Sequence, residues 1–258
     1  MSSNDSIKKT LIVAFALCIV CSVIVSTAVV VLKPIQEVNK TLDRKRNILA
    51  AAGMLVEGES IDEQFAQIKT RVVDLTTGKF ADDAVNVEKY DQRKAAKDPG
   101  RSQELTPEED LAKISRREHY ALIYIVQNPQ GDIEKIILPI RGYGLWSTLH
   151  GFIALESDAN TIAGLGFYEH GETPGLGGEV DNPRWKASWP GKLVYRDGDV
   201  EIGLVKGAVD PNAASADWEI DGLAGATLTS KGITNLVHFW LGEDGFEPFL
   251  NNLRAGEA

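Results

Sequence analysis

Residues 221–230 combine small side chains with three hydroxyl groups, directly ahead of an apolar helical pattern. The segment reads DGLAGATLTS, and its hydroxyls belong to Thr227, Thr229 and Ser230. Small residues let a ligand approach the backbone closely, and the first turn of a helix offers free N–H groups and a partial positive charge. The pattern predicts a site for a phosphate or phosphodiester. An ordinary N-cap by Thr229 or Ser230 is the commoner use of such a loop, and it is the alternative from these residues alone.

A second glycine-rich segment, EHGETPGLGGE at 169–179, follows a predicted strand. Glycine at this density indicates unusual backbone angles or a close approach to a ligand. The segment is not a dinucleotide-binding fingerprint, because no G-x-G-x-x-G leads into a helix. His170, Glu172 and Glu179 lack the spacing of a metal site, so we expect solvated loop charges there and no metal.

A third segment, GYGLW at 142–146, places Trp146 beside two glycines, where an aromatic ring could stack on a planar ligand. Tryptophans are more often core or partner-surface residues, and this is the alternative interpretation of Trp146 and of Trp185, Trp189 and Trp218 further along the chain. No Ser–His–Asp set is evident, and the three histidines at 119, 150 and 238 stand in core-like or helical contexts. We therefore assign no catalytic residue.

Short apolar runs separated by turn residues predict the scaffold behind these loops. The predicted strands cover 120–126, 133–140, 151–155 and 162–167, and two further runs at 192–196 and 200–205 flank a D-G-D hairpin signal. An amphipathic helix is predicted from about Ser230, with its apolar face formed by Ile233, Leu236, Val237, Trp240 and Leu241. Short strands with helices at both ends indicate an α+β fold around an antiparallel sheet.

The first half of the chain is predicted to be mainly helical. Pro34 is expected to separate two helices, the second of which ends near Gly53. A capping box at 60–63 predicts a short helix with Phe65 and Ile68 facing inward. The polar stretch 79–103 is interpreted as an exposed connection, and TPEE at 106–109 predicts another helix start.

The charge and the cysteine content of the chain exclude several classes of function. The 258 residues carry 27 basic and 37 acidic side chains, a net charge of 27 − 37 = −10. A chain with this negative charge is expected to bind nucleic acid poorly, because duplex binding depends on Lys and Arg. Only two cysteines are present, Cys18 and Cys21, which excludes a disulfide framework or a four-thiolate metal site within the chain.

Residues 11–32 contain no charged side chain. As a helix they would extend roughly 33 Å, enough to cross the ~30 Å hydrocarbon core of a lipid bilayer. A cleaved signal peptide is the alternative, but its apolar region is usually only about 7–15 residues long. We expect one retained anchor with Cys18 and Cys21 as packing residues. The basic side chains that follow the span favour a cytoplasmic C-terminal side by a literal count, and the sequence alone leaves the orientation open.

Taken together, the three glycine-rich segments resemble the NqrC family, whose members are subunits of the sodium-translocating NADH:quinone reductase. The resemblance extends over nearly the whole chain and is most specific at 142–180 and 221–230. It implies a cytoplasmic N-terminus at 1–10, a transmembrane helix at 11–32, a juxtamembrane helical region and polar connection at 33–104, and an FMN-binding domain at 105–258. It also places the soluble domain in the periplasm, on the outer side of the bacterial inner membrane.

The resemblance further implies an FMN that is joined through its phosphate to a threonine hydroxyl, in a D-G-x-[ST]-G-A-T pattern. In this chain Thr227 is the bonded residue, and Ala224 stands where the family has Ser or Thr. The other residues that match this pattern are Asp221, Gly222, Gly225 and Ala226. The residues that the resemblance places against or near the flavin ring are Trp146, Thr173, Leu176 and Lys206.

By the same resemblance, the flavin relays electrons between other subunits of the complex, from NADH toward ubiquinone, while the complex exports sodium. A flavin transferase would attach the FMN, and the chain would not be active alone. The RnfG protein of the Rnf electron-transport complex, which shares the ETPGLG-type loop, is one alternative. A membrane-anchored assembly protein without any cofactor is another.

Overall fold

The computed structural model describes residues 6–258, and the chain divides into two compact units, Met1–Arg44 and Lys45–Ala258. The first half of the expected N-terminal segment 1–10 lies outside the described residues, and the second half is already helical. The resemblance implies an FMN-binding domain that starts at residue 105. The compact unit begins sixty residues earlier, at Lys45, because the end of the first helix and a strand before residue 105 belong to its core.

The helices are α1 Ile7–Ala51, α2 Ile61–Phe65, α3 Gln92–Ala95, α4 Pro183–Lys186, α5 Thr227–Leu241 and α6 Glu247–Ala255. The strands are β1 Ile68–Asp74, β2 Lys79–Phe80, β3 Ser102–Glu104, β4 Arg116–Glu118, β5 Tyr120–Gln127, β6 Ile133–Tyr143, β7 Thr148–Glu156, β8 Ile162–Glu169, β9 Tyr195–Arg196, β10 Asp199–Val200, β11 Gly203–Leu204 and β12 Glu219–Ile220. Two short 3₁₀ helices cover Gly177–Asp181 and Ala216–Trp218. The α+β class is confirmed.

Helix α1 contains the candidate membrane span, with a mean hydropathy of 2.8 over its most apolar window. The expected joint at Pro34 is wrong, because α1 runs through this residue. A proline removes one backbone donor, but no glycine and no second proline lies between residues 7 and 52 to end the helix there. The helix end near Gly53 is confirmed: Gly53 has a φ of +67°, and the amide of Met54 donates to the Leu49 carbonyl at 2.8 Å.

The main sheet has six strands in the order β2-β1-β5-β6-β7-β8, and its pairs are antiparallel. The four strands predicted between residues 120 and 167 are confirmed as β5 to β8. In β5, Ile123 and Ile125 enter the cluster that contains α5 and α6, whereas Tyr124 and Val126 enter the cluster that contains the end of α1. Both faces of the sheet are therefore covered, which explains why β5 reads as one continuous apolar run.

The end of α1 supplies the layer on one face of the sheet. Ile48 and Leu49 have no exposed surface and pack in one cluster with Tyr124 and Phe152. Helix α2 lies beside this cluster and begins with the expected cap, in which the Ser60 hydroxyl accepts from the amide of Glu63 at 3.5 Å. Phe65 faces inward as expected; Ile68 is buried too, but as the first residue of β1 rather than as part of the helix.

The polar stretch 79–103 is largely exposed, as expected, but a few of its side chains anchor it to the sheet. Tyr90 and Ala95 are buried and form a small core with Val72 and Leu122. The Tyr90 hydroxyl donates to the Tyr120 carbonyl at 2.7 Å, and Gln92 accepts from the amide of Leu122 at 3.0 Å. A few apolar side chains at the right places fix this segment, and its otherwise polar composition hides them.

The predicted helix after Thr106 is also wrong. The capping hydrogen bonds form, since the Thr106 amide donates to Glu109 at 2.8 Å and the Glu109 amide donates to the Thr106 hydroxyl at 3.3 Å. The chain leaves the helical conformation after one turn, because Lys113 and Ser115 have φ values of 54° and 63°. The Asp110 carboxylate stabilises this exit by accepting from the amides of residues 114 and 115.

The predicted hairpin at 197–199 is present, but its strands are shorter than expected. Strands β9 and β10 pair antiparallel around Asp197 and Gly198, which both have positive φ. The chain after β10 instead forms β11, which pairs parallel with β12.

His150 of β7 makes the stability of the fold depend on pH. Burial of its ring, reinforced by the charge of nearby Arg93, lowers the pKa of His150 from 6.5 to about 4. The unfolded chain binds a proton below pH 6.5 that the folded chain binds only near pH 4, so stability is lost as the pH falls through this window. Partial exposure of the ring limits the loss to about 2–3 kcal/mol.

We therefore expect His150→Gln to reduce the difference in unfolding free energy between pH 7 and pH 4.5 by about 2 kcal/mol. Urea unfolding of both proteins at the two pH values measures it. Equal pH dependence in the two proteins would contradict the assignment.

Candidate functional site

Helix α5 begins at Thr227, three residues before the expected start near Ser230. Its N-cap residue is Ala226, which supplies no side-chain hydrogen bond to the first turn. Gly225 precedes it with a φ of +71°. The residues at the start of the helix are small, so its first N–H groups receive no capping side chain from the N-cap position.

The three hydroxyls of this segment have different environments. Thr227 is exposed, whereas Thr229 and Ser230 are 1% and 7% exposed. The Thr229 hydroxyl donates to Glu172 Oε2 at 2.6 Å, and the Ser230 hydroxyl accepts from the amide of Leu223 at 3.0 Å. The N-cap alternative for Thr229 and Ser230 is therefore wrong, and Thr227 is the accessible hydroxyl of the three.

Glu172 connects the three glycine-rich segments, a role that the sequence does not reveal. Its Oε1 accepts from the amides of Leu145, Trp146 and Ser147 at 3.1, 3.0 and 3.3 Å. Its Oε2 accepts from the Thr229 hydroxyl. The residue is 5% exposed. The expectation of a solvated loop charge is wrong here, since no local pattern distinguishes a carboxylate that tertiary structure will bury.

The environment of Glu172 favours its charged form. Burial alone would raise the pKa of this carboxyl, but the hydrogen bonds from the Thr229 hydroxyl and from the amides of residues 145–147 outweigh it, so its pKa lies below the usual value. Glu172 is thus an anion at neutral pH.

Gly177 gives this carboxylate its space. A Cβ atom at Gly177 would lie 2.6 Å from Thr229 Oγ1 and 2.8 Å from Glu172 Oε2. We expect Gly177→Ala to lower the unfolding free energy by about 1–3 kcal/mol, because the Thr229–Glu172 contact must open. Gly166→Ala is the matched control, since apart from its chain neighbours no atom of residues 6–258 lies within 4 Å of its added Cβ, and it should change stability by less than about 0.5 kcal/mol. Urea unfolding measures both, and equal effects would contradict this packing.

Exposed apolar side chains surround the start of α5. Trp146 is 65% exposed, Leu228 59% and Leu176 43%. Leu176 lies beside the loop before α5, since a Cβ at Gly225 would meet its Cδ2 at 3.0 Å. Exposed apolar residues that gather in one place indicate a binding surface. The sequence pattern indicates Trp146 and the family resemblance implies Leu176. Neither indicates Leu228, whose helical position is typical of an ordinary exposed leucine.

Residue Thr173 is exposed on the same loop, where its carbonyl accepts from the amide of Leu176 at 3.1 Å. Exposed Lys206 lies next to residues 220–222, because the amide of Val205 donates to the Ile220 carbonyl at 2.9 Å. Both residues thus belong to the segments that border α5.

Asp221 and Gly222 fix the conformation of the loop that precedes α5. The carbonyl of Asp221 accepts from Trp185 Nε1 at 2.9 Å, and its Oδ1 accepts from the amide of Val209 at 2.8 Å. A Cβ at Gly222 would lie 2.2 Å from the Val205 carbonyl oxygen. Trp185 and Trp189 pack in the core, as interpreted from the sequence.

The remaining charged side chains of the 169–179 loop have protein partners. His170 Nε2 lies 2.9 Å from Asp181, and its Nδ1 accepts from the amide of Glu172 at 3.2 Å. Glu179 accepts from the Asn182 side chain at 2.8 Å. His170 therefore supports the backbone of Glu172.

Comparison with known proteins identifies this region. The family model described as an FMN-binding domain matches residues 144–242, which include the 144–147 loop, the 169–179 loop and the start of α5. The NqrC subunit of the Na⁺-translocating NADH-quinone reductase from Pseudomonas aeruginosa is 55% identical over 263 residues, with all of both chains covered. The same subunit from Vibrio vulnificus is 50% identical over 259 residues, with 99% of each chain covered.

Among solved structures, NqrC from Shewanella oneidensis matches with a TM-score of 0.76 and 37% identity, over 84% of this chain and 99% of that one. The 55% identity to the Pseudomonas subunit over the full length exceeds what a shared fold alone would give. The chain therefore belongs to the NqrC family of subunits of the Na⁺-translocating NADH-quinone reductase, an oxidoreductase complex, and contains the FMN-binding domain of that family.

Proposed function

We propose that this chain carries FMN bonded covalently through its phosphate to the Thr227 hydroxyl. The observation that carries the proposal is the difference among the three hydroxyls at the start of α5: Thr227 is exposed, and Thr229 and Ser230 are buried and hydrogen-bonded. A modifying enzyme, for which we propose a flavin transferase, can reach only the first of them.

The uncapped start of α5 suits the phosphate of FMN. A phosphodiester on Thr227 keeps one negative charge, and it would lie beside amides that receive no side-chain cap from Ala226. Free amides and the partial positive charge of a helix N-terminus both stabilise such an anion. Exposed Lys206, on a neighbouring segment, adds a positive charge.

The exposed apolar residues suit the flavin ring. Trp146 and Leu176 offer aromatic and aliphatic surface to a planar ring system, and Thr173 adds an exposed hydroxyl. Gly222, Gly225 and Ala226 keep the approach to Thr227 free of large side chains, and Asp221 holds their loop in place.

When bound, FMN supplies the electron-carrier chemistry, and this chain supplies its position and surroundings. We propose that the chain relays electrons within the complex, from NADH toward ubiquinone, in a process coupled to sodium export. The relatives from the NADH-quinone reductase support this role over that of RnfG in an Rnf complex. The match to an FMN-binding domain argues against an assembly protein without a cofactor.

We propose further that α1 anchors the chain in the bacterial inner membrane, with the unit from Lys45 onward in the periplasm. This orientation follows the family resemblance and runs against the literal count of basic residues. A membrane-impermeant maleimide should label Asn212→Cys, an exposed position, in intact spheroplasts. Labelling only after lysis would reverse the proposed orientation.

Intact-mass spectrometry of the full chain, purified from membranes of a host that contains the transferase, tests the covalent flavin. The expected mass is that of the polypeptide plus FMN less one water. Trypsin should then release the modified peptide that follows Lys206 and ends at Lys231, and fragmentation should locate the flavin on Thr227. A mass equal to that of the bare polypeptide would overturn the proposal.

A further inference from the structure

We propose that Glu172 is a positioning residue of the flavin site, whose carboxylate ties the 145–147 loop to the first turn of α5 and so presents Trp146 and Thr227 together. The inference rests on the proposed FMN site. Its structural consequence can be measured on a chain that carries no flavin.

The hydrogen bonds of Glu172 join two segments that lie far apart in the sequence. Oε1 takes three successive amides, at 3.0 to 3.3 Å from residues 145–147. Oε2 takes the hydroxyl of Thr229, two residues after Thr227. A row of successive amides is a natural anion-binding concavity, and here the anion is the chain's own buried carboxylate.

The two residues that Glu172 positions have exposed side chains. Trp146 is 65% exposed, so packing does not fix its side chain, and its location depends on the backbone of its loop. Thr227 is exposed as well, and Thr229 provides the buried polar contact of the same helical turn. Loss of the carboxylate would remove the hydrogen bonds that join the 145–147 loop to the first turn of α5.

Two glycines reserve the space for this carboxylate. A Cβ atom at Gly144 would lie 2.6 Å from Glu172 Oε1, and one at Gly177 would lie 2.8 Å from Oε2. The amide of Glu172 is in turn held by His170 Nδ1 at 3.2 Å. Each of the glycine-rich loops that border α5 thus contributes to the placement of one side chain.

The first test uses hydrogen exchange of the full chain produced without the transferase. In Glu172→Ala, the amides of residues 145–147 should exchange at least about tenfold faster, since each loses its acceptor. In Glu172→Gln they should stay protected, because the Gln oxygen can accept from the amides while its NH₂ group donates to the Thr229 hydroxyl. Glu179→Ala, in the same loop, is the matched control and should leave these amides unchanged.

The second test measures the rate at which FMN is attached when the transferase is present. We expect at least a tenfold slower rate in Glu172→Ala, rescue in Glu172→Gln, and a normal rate in Glu179→Ala. Thr229→Val serves as the test variant if Glu172→Ala does not fold, because it removes only the hydrogen bond between Glu172 and α5. It should slow FMN attachment severalfold while the 145–147 amides stay protected.

The possible failures are distinct. Absence of flavin from the wild-type chain overturns the proposed function. A wild-type rate of attachment in Glu172→Ala, or in Thr229→Val if the former does not fold, overturns the role of Glu172 alone. Unchanged exchange of the 145–147 amides in a folded Glu172→Ala does the same.

Discussion

The Thr227→Val variant is expected to lose covalent flavin completely. Valine has nearly the shape of threonine but no hydroxyl, so the start of α5 remains while the acceptor oxygen is removed. Flavin should not move to Thr229 or Ser230, because these residues are only 1% and 7% exposed and their hydroxyls are hydrogen-bonded to Glu172 and to the amide of Leu223. Ultraviolet illumination of a denaturing gel should show no fluorescent band, and the intact mass should be that of the polypeptide.

Thr227→Ser is the matched control, since it retains an exposed hydroxyl at the same place. It should keep a fluorescent band, at reduced yield if the transferase reads the threonine methyl group. A fluorescent band in Thr227→Val would refute the assignment of the site, whereas loss of the band in both variants would show that the transferase requires threonine itself.

The Leu49→Ala variant should lower the unfolding free energy by about 2–5 kcal/mol. Leu49 belongs to the same helix as the candidate span, yet it has no exposed surface and packs against the sheet in the cluster with Tyr124 and Phe152. A loss of this size is a large part of the ~5–15 kcal/mol by which a domain is usually stable. Urea unfolding of the full chain in mild detergent, followed by tryptophan fluorescence, measures it.

Ile35→Ala in α1 is the control, because this side chain is 58% exposed. It removes a similar aliphatic group and should change the transition by less than about 0.5 kcal/mol. Equal losses in the two variants would mean that the helix end stabilises the folded unit no more than the rest of α1 does.

Strands β5 to β8 were predictable because they are short apolar runs between strong turn signals, whereas β1 and β2, the other two strands of the sheet, were not predicted. The run at 120–126 and the turn at 128–131, for instance, specify β5 and the hairpin to β6 without help from distant residues. The end of the long helix α1 near Gly53 was also predictable, because a glycine at the C′ position is a local signal.

The errors fall where local signals compete with distant contacts. The capping box at Thr106 forms as expected but opens a single turn, because Asp110 stabilises the exit. Helix α5 starts at Thr227 because Thr229 and Ser230 use their hydroxyls on residues 172 and 223 and so cannot act as N-caps. Propensity is a weak guide where tertiary contacts decide.

The site itself was only partly predictable. The small residues at 222–226 and the hydroxyl of Thr227 are visible in the sequence, and so is Trp146. Glu172 was not, because a carboxylate among glycines has the composition of a solvated loop. Its burial depends on meeting the 145–147 amides and Thr229, which come from opposite sides of it in the chain.

The position of Ile48 and Leu49 in the core means that their packing cannot be completed until residues much later in the chain have been translated. Their partners Phe152 and Ala154 are translated only about 100 residues later, which at ~5–20 residues per second takes on the order of 5–20 s. During that interval these two residues have only the earlier part of their cluster, such as Ile68 and Tyr124, to pack against. We therefore expect the growing chain to be more prone to aggregation until β7 has been made, because part of this apolar surface stays uncovered.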